Sequence, residues 1–191
     1  MRKFLQIWLL TFFAACSNQQ KPVTAPSCSN HSKPLYVLPY PVGQTYYLLQ
    51  GNCGKFSHDD VFKYAYDFRM PVGSYITAIR GGIVRRLEER FEDGNGKDEE
   101  LNYLLILHDD STVARYMHLT KSGVLVEMNQ RINPGDTIAL SGNTGISTEP
   151  HLHIDIISSC KKAPCYTVPF SFRNARDRQP LQGKNYTALR Y

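Results

Sequence analysis

The sequence has no cluster of basic residues and only a small excess of positive charge. Its 191 residues include 22 Lys and Arg against 17 Asp and Glu, and two of the basic residues, Arg2 and Lys3, lie at the extreme N-terminus. Proteins that bind nucleic acids usually carry a basic patch that neutralises phosphates. We therefore predict that this protein does not bind nucleic acid.

The sequence also lacks a convincing amphipathic helix of more than two turns. Its apolar residues come in short runs broken by Gly, Pro, Asn and Asp, which is typical of strands joined by turns. The charged segment Phe91–Glu100, with its two glycines, indicates a solvated hairpin loop. We predict an all-β domain with strands over 35–38, 45–50, 64–68, 74–79, 82–89, 101–108, 112–119, 137–140 and 151–157.

No Cys-x-x-Cys pair is present among the five cysteines, which argues against a zinc site built from cysteines. Cys16 stands apart, at the end of an apolar segment. The other four form an even set, which in an exported chain indicates two disulfides in one of three pairings. Cys160 and Cys165 can close a short loop, which leaves Cys28 to join Cys53.

The N-terminal apolar segment, Phe4–Ala15, has twelve residues, too few to cross a membrane but suitable for a signal peptide. The run FAAC, which ends at Cys16, resembles a bacterial lipobox, whose cysteine is lipidated and becomes the mature N-terminus. Ser17 resembles the residue that favours sorting to the outer membrane. We expect a lipoprotein signal peptide over 1–15 and a periplasmic protein anchored to the outer membrane through Cys16. An ordinary secretory signal is the alternative.

Three segments are expected after the signal peptide. Residues 16–33 are rich in Ser, Asn, Gln, Pro and Lys and have no apolar period, which predicts a flexible linker. The strand-like runs lie within 34–172, a length that can bury a core and is predicted to form one domain. Residues 173–191 are basic and polar and are predicted to form a C-terminal tail.

The run HLHIDI, from His151 to Ile156, alternates between polar and apolar residues. In an extended strand, one face would carry His151, His153 and Asp155, and the other face would carry the aliphatic residues. Neighbours on the polar face, two residues apart in sequence, would lie roughly 6.5 to 7 Å from each other. This spacing suits a metal ligand beside a catalytic group. A half-buried strand with solvated histidines would give the same pattern, and Asp155 could either orient a ligand imidazole or be solvated.

Two other segments offer further candidates for a hydrolytic zinc site, which needs three protein ligands and a position for water. Asp67 lies in the strand-like run YAYDF, where a carboxylate among apolar residues is costly unless it is paired or bound to a metal. His58 precedes it in a polar loop. His118 lies in the run ARYMHL, where an unbroken strand would place it on the same face as Tyr116.

Together, these segments resemble the motifs of the lysostaphin-like (LytM-type) zinc metallopeptidases, which are bacterial cell-wall endopeptidases. SHDDVFKYAYDFRMPVG (57–73), YMHL (116–119) and SGNTGISTEPHLHIDI (141–156) occur in the family's order and spacing. The resemblance covers roughly 46–157, including the linking run AIRGGIV at 78–84. It implies a β-sandwich-like fold whose antiparallel strands form a groove.

The resemblance also implies roles for individual residues. His58, Asp67 and His153 match the family's zinc ligands, and His118 and His151 match the two catalytic histidines that flank the metal-bound water. In well-known members the first ligand precedes the aspartate by four residues, whereas here the separation is nine. Asp59 and Asp60 are therefore alternative first ligands. Either catalytic histidine could act as the base.

The function implied by the resemblance is that of a zinc-dependent endopeptidase with one zinc ion per chain, acting on the peptide stems of peptidoglycan. For an exported protein of a Gram-negative periplasm, the expected target is the D-Ala to diaminopimelate cross-link. One alternative is a non-catalytic LytM-type lipoprotein that binds the cell wall and regulates a murein amidase or other murein hydrolase. Another is a wall-binding protein with a structural zinc, with His118 or His151 as an additional ligand. His108, at a strand end, is predicted to be structural.

Overall fold

The structure, a computed structural model, describes residues 36–158, 160 and 164–191. The signal peptide, the lipidated Cys16, the linker over 16–33 and Cys28 lie outside these residues and stay predictions. Cys53 is disulfide-bonded, and Cys160 is joined to Cys165, as their spacing predicted. No helix among the described residues is long and apolar enough to cross a membrane.

The described residues form eleven strands and one short 3-10 helix, Asp60–Phe62. The strands are β1 Thr45–Gln50, β2 Tyr66–Arg69, β3 Tyr75–Thr77, β4 Gly82–Glu88, β5 Tyr103–Leu107, β6 Val113–Met117, β7 Leu119–Val124, β8 Arg131–Ile132, β9 Thr137–Ser141, β10 His151–Ile157 and β11 Asn185–Thr187. All of the strand pairs are antiparallel. The predicted all-β class is therefore confirmed.

The strands form two sheets that share one apolar core. The larger sheet has the order β11-β1-β2-β10-β6-β5-β4-β8, and the smaller has the order β3-β9-β7. Side chains of both sheets belong to the same buried cluster, for example Leu48 and Phe68 of the larger sheet and Ile76 and Ile138 of the smaller one. Strands β2 and β10 lie inside the larger sheet, so each of them pairs with a neighbouring strand on both of its edges.

Core packing decides which face of β2 and β10 carries polar groups. Phe68 pairs with Leu152, and Tyr66 pairs with Ile154; all four side chains are fully buried in the core. Because successive side chains of a strand point to opposite faces, the residues between them must lie on the face away from this core. Those residues are Asp67 on β2 and His153 on β10, and they are direct partners in the register.

The predicted strand over 112–119 is interrupted at His118, where the chain passes from the larger sheet to the smaller one. His118 has a φ of +62°, which is uncommon for a residue other than glycine. The prediction that His118 shares a face with Tyr116 is wrong for this reason. Tyr116 is buried in the core, where its hydroxyl accepts a hydrogen bond from Ile79 N, whereas His118 lines a cleft on the other face.

The segment predicted to be a C-terminal tail contributes β11, which pairs with β1 at the edge of the larger sheet. Tyr186 of β11 is buried, and its hydroxyl lies 2.7 Å from Leu181 N, from which it accepts a hydrogen bond. Tyr186, the buried Ala188 and the pairing with β1 therefore hold the end of the chain against the domain. Strands β7 and β8 were not predicted either.

Candidate metal centre and cleft

Asp67 and His153 lie opposite each other on neighbouring strands, and their side chains meet. His153 Nδ1 is 2.9 Å from Asp67 Oδ1. Both residues are buried. Although burial raises the pKa of Asp67, the charge and hydrogen bond of His153, together with the contact to His58, outweigh burial and hold the pKa well below its usual value. The carboxylate is therefore ionised, which is the form that can bind a cation.

Asp155, two residues after His153 on the same strand face, holds the other side of the His153 ring. Its Oδ2 is 3.1 Å from His153 Nε2, and Arg115 forms two 2.7 Å hydrogen bonds to its two oxygens. Burial lowers the pKa of His153, but Asp67 and Asp155 together raise it to about 9. Of the two alternatives for Asp155, the structure favours orientation of the imidazole, because its side chain is fully buried.

His58 reaches the same carboxylate from the loop that follows β1. Its Nε2 lies 3.0 Å from Asp67 Oδ2, and its Nδ1 donates a hydrogen bond to the carbonyl of Gly51 at 2.9 Å. In the neutral imidazole, the hydrogen therefore lies on Nδ1, and Nε2 points a lone pair toward the carboxylate. Two acceptors cannot hydrogen-bond to each other, and His58 Nε2 is buried without a hydrogen-bond partner.

These three residues fit a metal ion. One ligand atom each of His58, Asp67 and His153 lies within 4.8 Å of the others, and all three residues are buried. The buried His58 Nε2 lacks a hydrogen-bond partner, a costly arrangement that a cation would relieve. Two imidazoles and one carboxylate suit zinc. The alternative ligands Asp59 and Asp60 are exposed and do not belong to this group.

His118 and His151 form a second pair beside this group, with their ring centroids 4.5 Å apart. His118 Nδ1 donates to the carbonyl of Thr144 at 2.7 Å, and His151 Nδ1 donates to the carbonyl of Glu149 at 2.8 Å. Each ring therefore keeps its Nε2 free of hydrogen when neutral. Burial, followed by the charges of His151 and His153, lowers the pKa of His118 to about 3.

Two buried side chains that the sequence analysis missed fix the turn that holds His118. The Thr144 hydroxyl donates to the carbonyl of Leu119 and accepts from the backbone N–H of Asn102. The Asn102 side chain in turn bonds to Phe91 N, Phe91 O and Leu119 O. Thr144 lies in the run SGNTG, but nothing in the sequence indicated that its backbone carbonyl would accept a hydrogen bond from His118 or that its hydroxyl would fix the turn.

The segment predicted as a solvated hairpin loop, Phe91–Glu100, is attached to the same turn. Asp93 accepts hydrogen bonds from Asn143 N and from the Thr120 hydroxyl, and Asn95 accepts one from Gly145 N. The loop is mostly exposed. It joins β4 to β5 as a hairpin loop, and these bonds fix it to the turn beside His118.

All five predicted site residues lie in or beside one cleft of about 480 Å³. Asp67, His118, His151 and His153 line it, and His58 lies beneath, fully buried. Two apolar side chains, Phe56 and Ile146, also line it and are 86% and 66% exposed. The cleft is therefore open to a large ligand and carries apolar groups at its edge.

The remaining histidine among the described residues, His108, lies away from this cleft. It is buried, its Nδ1 donates to the carbonyl of Gly81 at 2.8 Å, and its ring contacts Tyr36 edge-on. Burial lowers its pKa. These contacts agree with the prediction of a structural role.

The comparisons with known proteins agree with this geometry. The sequence model of peptidase family M23 matches residues 61–164, more than half of the chain. The peptidoglycan DD-endopeptidase ShyA of Vibrio cholerae is 37% identical over 91 residues, which are 48% of this chain and 19% of that protein. The glycyl-glycine endopeptidase ALE-1 of Staphylococcus capitis is 34% identical over 118 residues, which are 62% of this chain and 28% of that protein.

This chain therefore corresponds to a minor part of the length of these relatives. Among solved structures, the catalytic domain of the prophage-encoded M23 protein EnpA from Enterococcus faecalis superposes with a TM-score of 0.52 at 21% identity, over 68% of this chain and 93% of that one. At this identity the likeness concerns the fold alone. The family match begins three residues after His58. Of the five predicted site residues, it therefore includes four: Asp67, His118, His151 and His153.

Proposed function

Because this chain belongs to peptidase family M23, we propose that it is a zinc-dependent endopeptidase that hydrolyses peptide cross-links of bacterial peptidoglycan. The main support is the meeting of His58, Asp67 and His153 in one buried group, with His118 and His151 beside it on an open cleft. The names of two relatives, a peptidoglycan DD-endopeptidase and a glycyl-glycine endopeptidase, support a substrate that contains peptide bonds of the cell wall.

His58, Asp67 and His153 would hold the metal. Zinc bound by three protein ligands supplies a Lewis acid and lowers the pKa of a coordinated water toward about 7. Asp155 and Arg115 contribute by holding the His153 ring, since the carboxylate bonds to its Nε2 and thereby leaves Nδ1 directed at Asp67. The chain thus presents its ligand atoms already arranged around one point.

His118 and His151 would move the proton. Each donates its Nδ1 hydrogen to a backbone carbonyl, which fixes the tautomer and turns the unprotonated Nε2 toward the cleft. Either nitrogen can accept the proton of the attacking water and return it to the leaving amine. The protonated imidazole can then donate a hydrogen bond to the developing oxyanion.

We further propose that the target is the D-Ala to diaminopimelate cross-link and that the protein acts from the outer membrane, held in the periplasm by a lipid on Cys16. Both proposals rest on the signal peptide and the lipobox-like run. Mass spectrometry of the mature N-terminus tests the anchor, because an unmodified Cys16 would remove it.

The test of the activity combines metal content with digestion of purified sacculi. The wild-type protein should bind about one zinc and release uncross-linked peptides from diaminopimelate-type sacculi but not from sacculi cross-linked by glycine bridges. His151→Ala should keep the zinc and lose the hydrolysis, whereas His153→Ala should lose both. Full hydrolysis by His153→Ala would refute the zinc mechanism. Zinc binding by the wild type without any hydrolysis would instead support the non-catalytic regulator.

A further inference from the structure

Gln50, the last residue of β1, makes several polar contacts with its side chain around the metal ligands. Strand pairing uses only its backbone, so these contacts are additional to its place in the sheet. Its side-chain oxygen accepts hydrogen bonds from Phe56 N at 3.1 Å and from Ser57 N at 3.0 Å. Its side-chain nitrogen donates to the Ser57 hydroxyl at 2.7 Å and to Asp67 Oδ2 at 3.2 Å. Gln50 is buried, and its bond to Asp67 lies away from bulk water.

The contacts of Gln50 join the two segments that carry metal ligands. Asp67 lies on β2 and is the register partner of Gln50. Phe56 and Ser57 immediately precede His58, and the ring of His58 is bonded to the carbonyl of Gly51, the residue after Gln50. The loop between Gly51 and His58 is thus closed at both ends around one glutamine side chain.

The neighbouring glycine shows how closely the loop is packed on this side chain. A Cβ atom at Gly54 would lie 2.4 Å from Gln50 Cγ and 2.8 Å from its side-chain oxygen. Any larger residue at position 54 must therefore displace the Gln50 amide or the loop itself. The close approach is independent of the hydrogen bonds and indicates the same tight association.

We infer that Gln50 is a positioning residue of the metal site, which ties the loop that carries His58 to the strand that carries Asp67. The inference rests on the proposed zinc site. It explains how His58, nine residues before the aspartate, is held beside it, because Phe56 and Ser57, which immediately precede His58, are bonded to the Gln50 amide. The bond to Asp67 Oδ2 also leaves Oδ1 directed at His153.

The test measures zinc affinity by competition with a chelating dye, together with thermal unfolding of the metal-free protein. Gln50→Met keeps the length of the side chain and removes its hydrogen bonds. Zinc binding should weaken by about tenfold to a hundredfold, the usual effect of losing a group that orients metal ligands. Gln44→Met is the matched control, since Gln44 is exposed just before β1, and its zinc affinity should equal that of the wild type.

A double-mutant cycle with His58→Ala shows whether Gln50 acts through the loop. Once His58 is gone, only the bond from Gln50 to Asp67 remains to be lost, so Gln50→Met should weaken zinc binding clearly less in the His58→Ala background than in the wild type. Unchanged affinity in Gln50→Met, or two losses that multiply in full, would overturn the inference.

A second variant covers the case in which Gln50→Met does not fold. Gly54→Ala displaces the amide without removing it, and it should weaken zinc binding in the same direction; unchanged zinc affinity in this variant would count against the inference. A wild-type protein that binds no zinc would refute the proposed function and this inference together, whereas zinc binding that is insensitive to position 50 would refute the inference only.

Discussion

Asp67 and His153 are placed by the register of the sheet, whereas His58 and His118 lie where strands have ended. The first two are partners across β2 and β10, and the residues on either side of them are buried in the core. The other two are held by side-chain networks, His58 by the loop around Gln50 and His118 by the turn at Thr144. One site therefore combines two ways of holding a histidine.

The difference has a physical consequence. A strand residue is fixed by the same apolar packing that stabilises the fold, so its position needs few polar contacts of its own. A residue in a loop or with a left-handed backbone needs buried hydrogen bonds, and each of these costs free energy if a partner is removed. Substitutions of the supporting residues should therefore affect His58 and His118 more than Asp67 and His153.

The largest expected effect is that of removing the strand-borne carboxylate. Asp67 contacts both imidazoles, at 3.0 Å to His58 and 2.9 Å to His153, and it supplies the negative charge of the group. We expect His58→Ala to weaken zinc binding about a hundredfold, since zinc sites draw on the order of 3 kcal/mol from each ligand. Asp67→Ala should weaken it about tenfold more, because it also removes the negative charge. Competition titrations with a chelating dye measure both.

Asp109→Ala, an exposed aspartate far from the cleft, is the control for the charge change and should leave zinc affinity unaltered. If His58→Ala lost more zinc affinity than Asp67→Ala, the loop ligand would contribute more to zinc binding than the strand ligand, contrary to this expectation.

The next largest effect concerns pH, because the two kinds of histidine titrate in opposite directions. Without metal, the pKa of His153 is about 9 and that of His118 is about 3. Below pH 9 His153 is therefore protonated and must release a proton when zinc binds, so zinc affinity should fall by about tenfold for each pH unit below 9. Calorimetry in buffers of different ionisation enthalpy should count close to one proton released at neutral pH.

The stability of the metal-free protein provides a check on the sign. The pKa of His153 in the folded protein is raised above its ordinary value of 6.5. The protonated His153 therefore contributes its full stabilisation below pH 6.5, and this stabilisation is lost as the pH rises through about 9. Unfolding experiments on the chelated protein should show this loss. A zinc affinity that did not change between neutral pH and pH 9 would contradict the assignment.

A smaller effect is expected from the support of His118. Thr144→Val keeps the shape of a buried side chain but leaves the backbone N–H of Asn102 without its partner. It also removes one of the two side-chain hydrogen bonds to the carbonyl of Leu119, which keeps only the bond from Asn102. We expect a loss of about 2 to 3 kcal/mol in the free energy of unfolding, with hydrolysis reduced and zinc affinity retained. Urea unfolding measures the first, and the digestion of sacculi measures the second.

Thr144→Ser keeps the hydroxyl and should restore most of the stability. The same threonine-to-valine exchange at the exposed Thr137 of β9 should change stability by no more than about 0.5 kcal/mol. If Thr144→Val were as stable as the wild type, the turn at His118 would be held by other contacts.

The same contrast separates what could be predicted from the sequence from what could not. The strands β1 and β10 have the predicted bounds, and alternation placed His153 and Asp155 on one polar face, because strand periodicity is a local property. The interruption at His118 could not be predicted, since YMHLT continues the strand pattern and the left-handed φ depends on contacts with the distant Thr144.

The parts of the fold that were missed also depend on distant contacts. β11 forms because Tyr186 enters the core next to β1, although its own surroundings in the sequence are polar. In the sequence, Gln50 is the last residue of a predicted strand, and only the folded loop brings Phe56 and Ser57 to its amide. Residues that support a site through tertiary hydrogen bonds leave no periodic pattern in a single sequence.

The smallest expected effect decides which residue of the loop is the ligand. Asp59 and Asp60 are exposed, whereas His58 is fully buried with its Nε2 directed at Asp67. An exposed carboxylate that does not touch the metal acts on it only through a field that water and salt screen. Asp59→Asn and Asp60→Asn should therefore change the zinc dissociation constant by less than about twofold at physiological ionic strength. A loss at either position as large as that of His58→Ala would assign the third ligand to an aspartate and would mean that the loop turns around in the metal-bound protein.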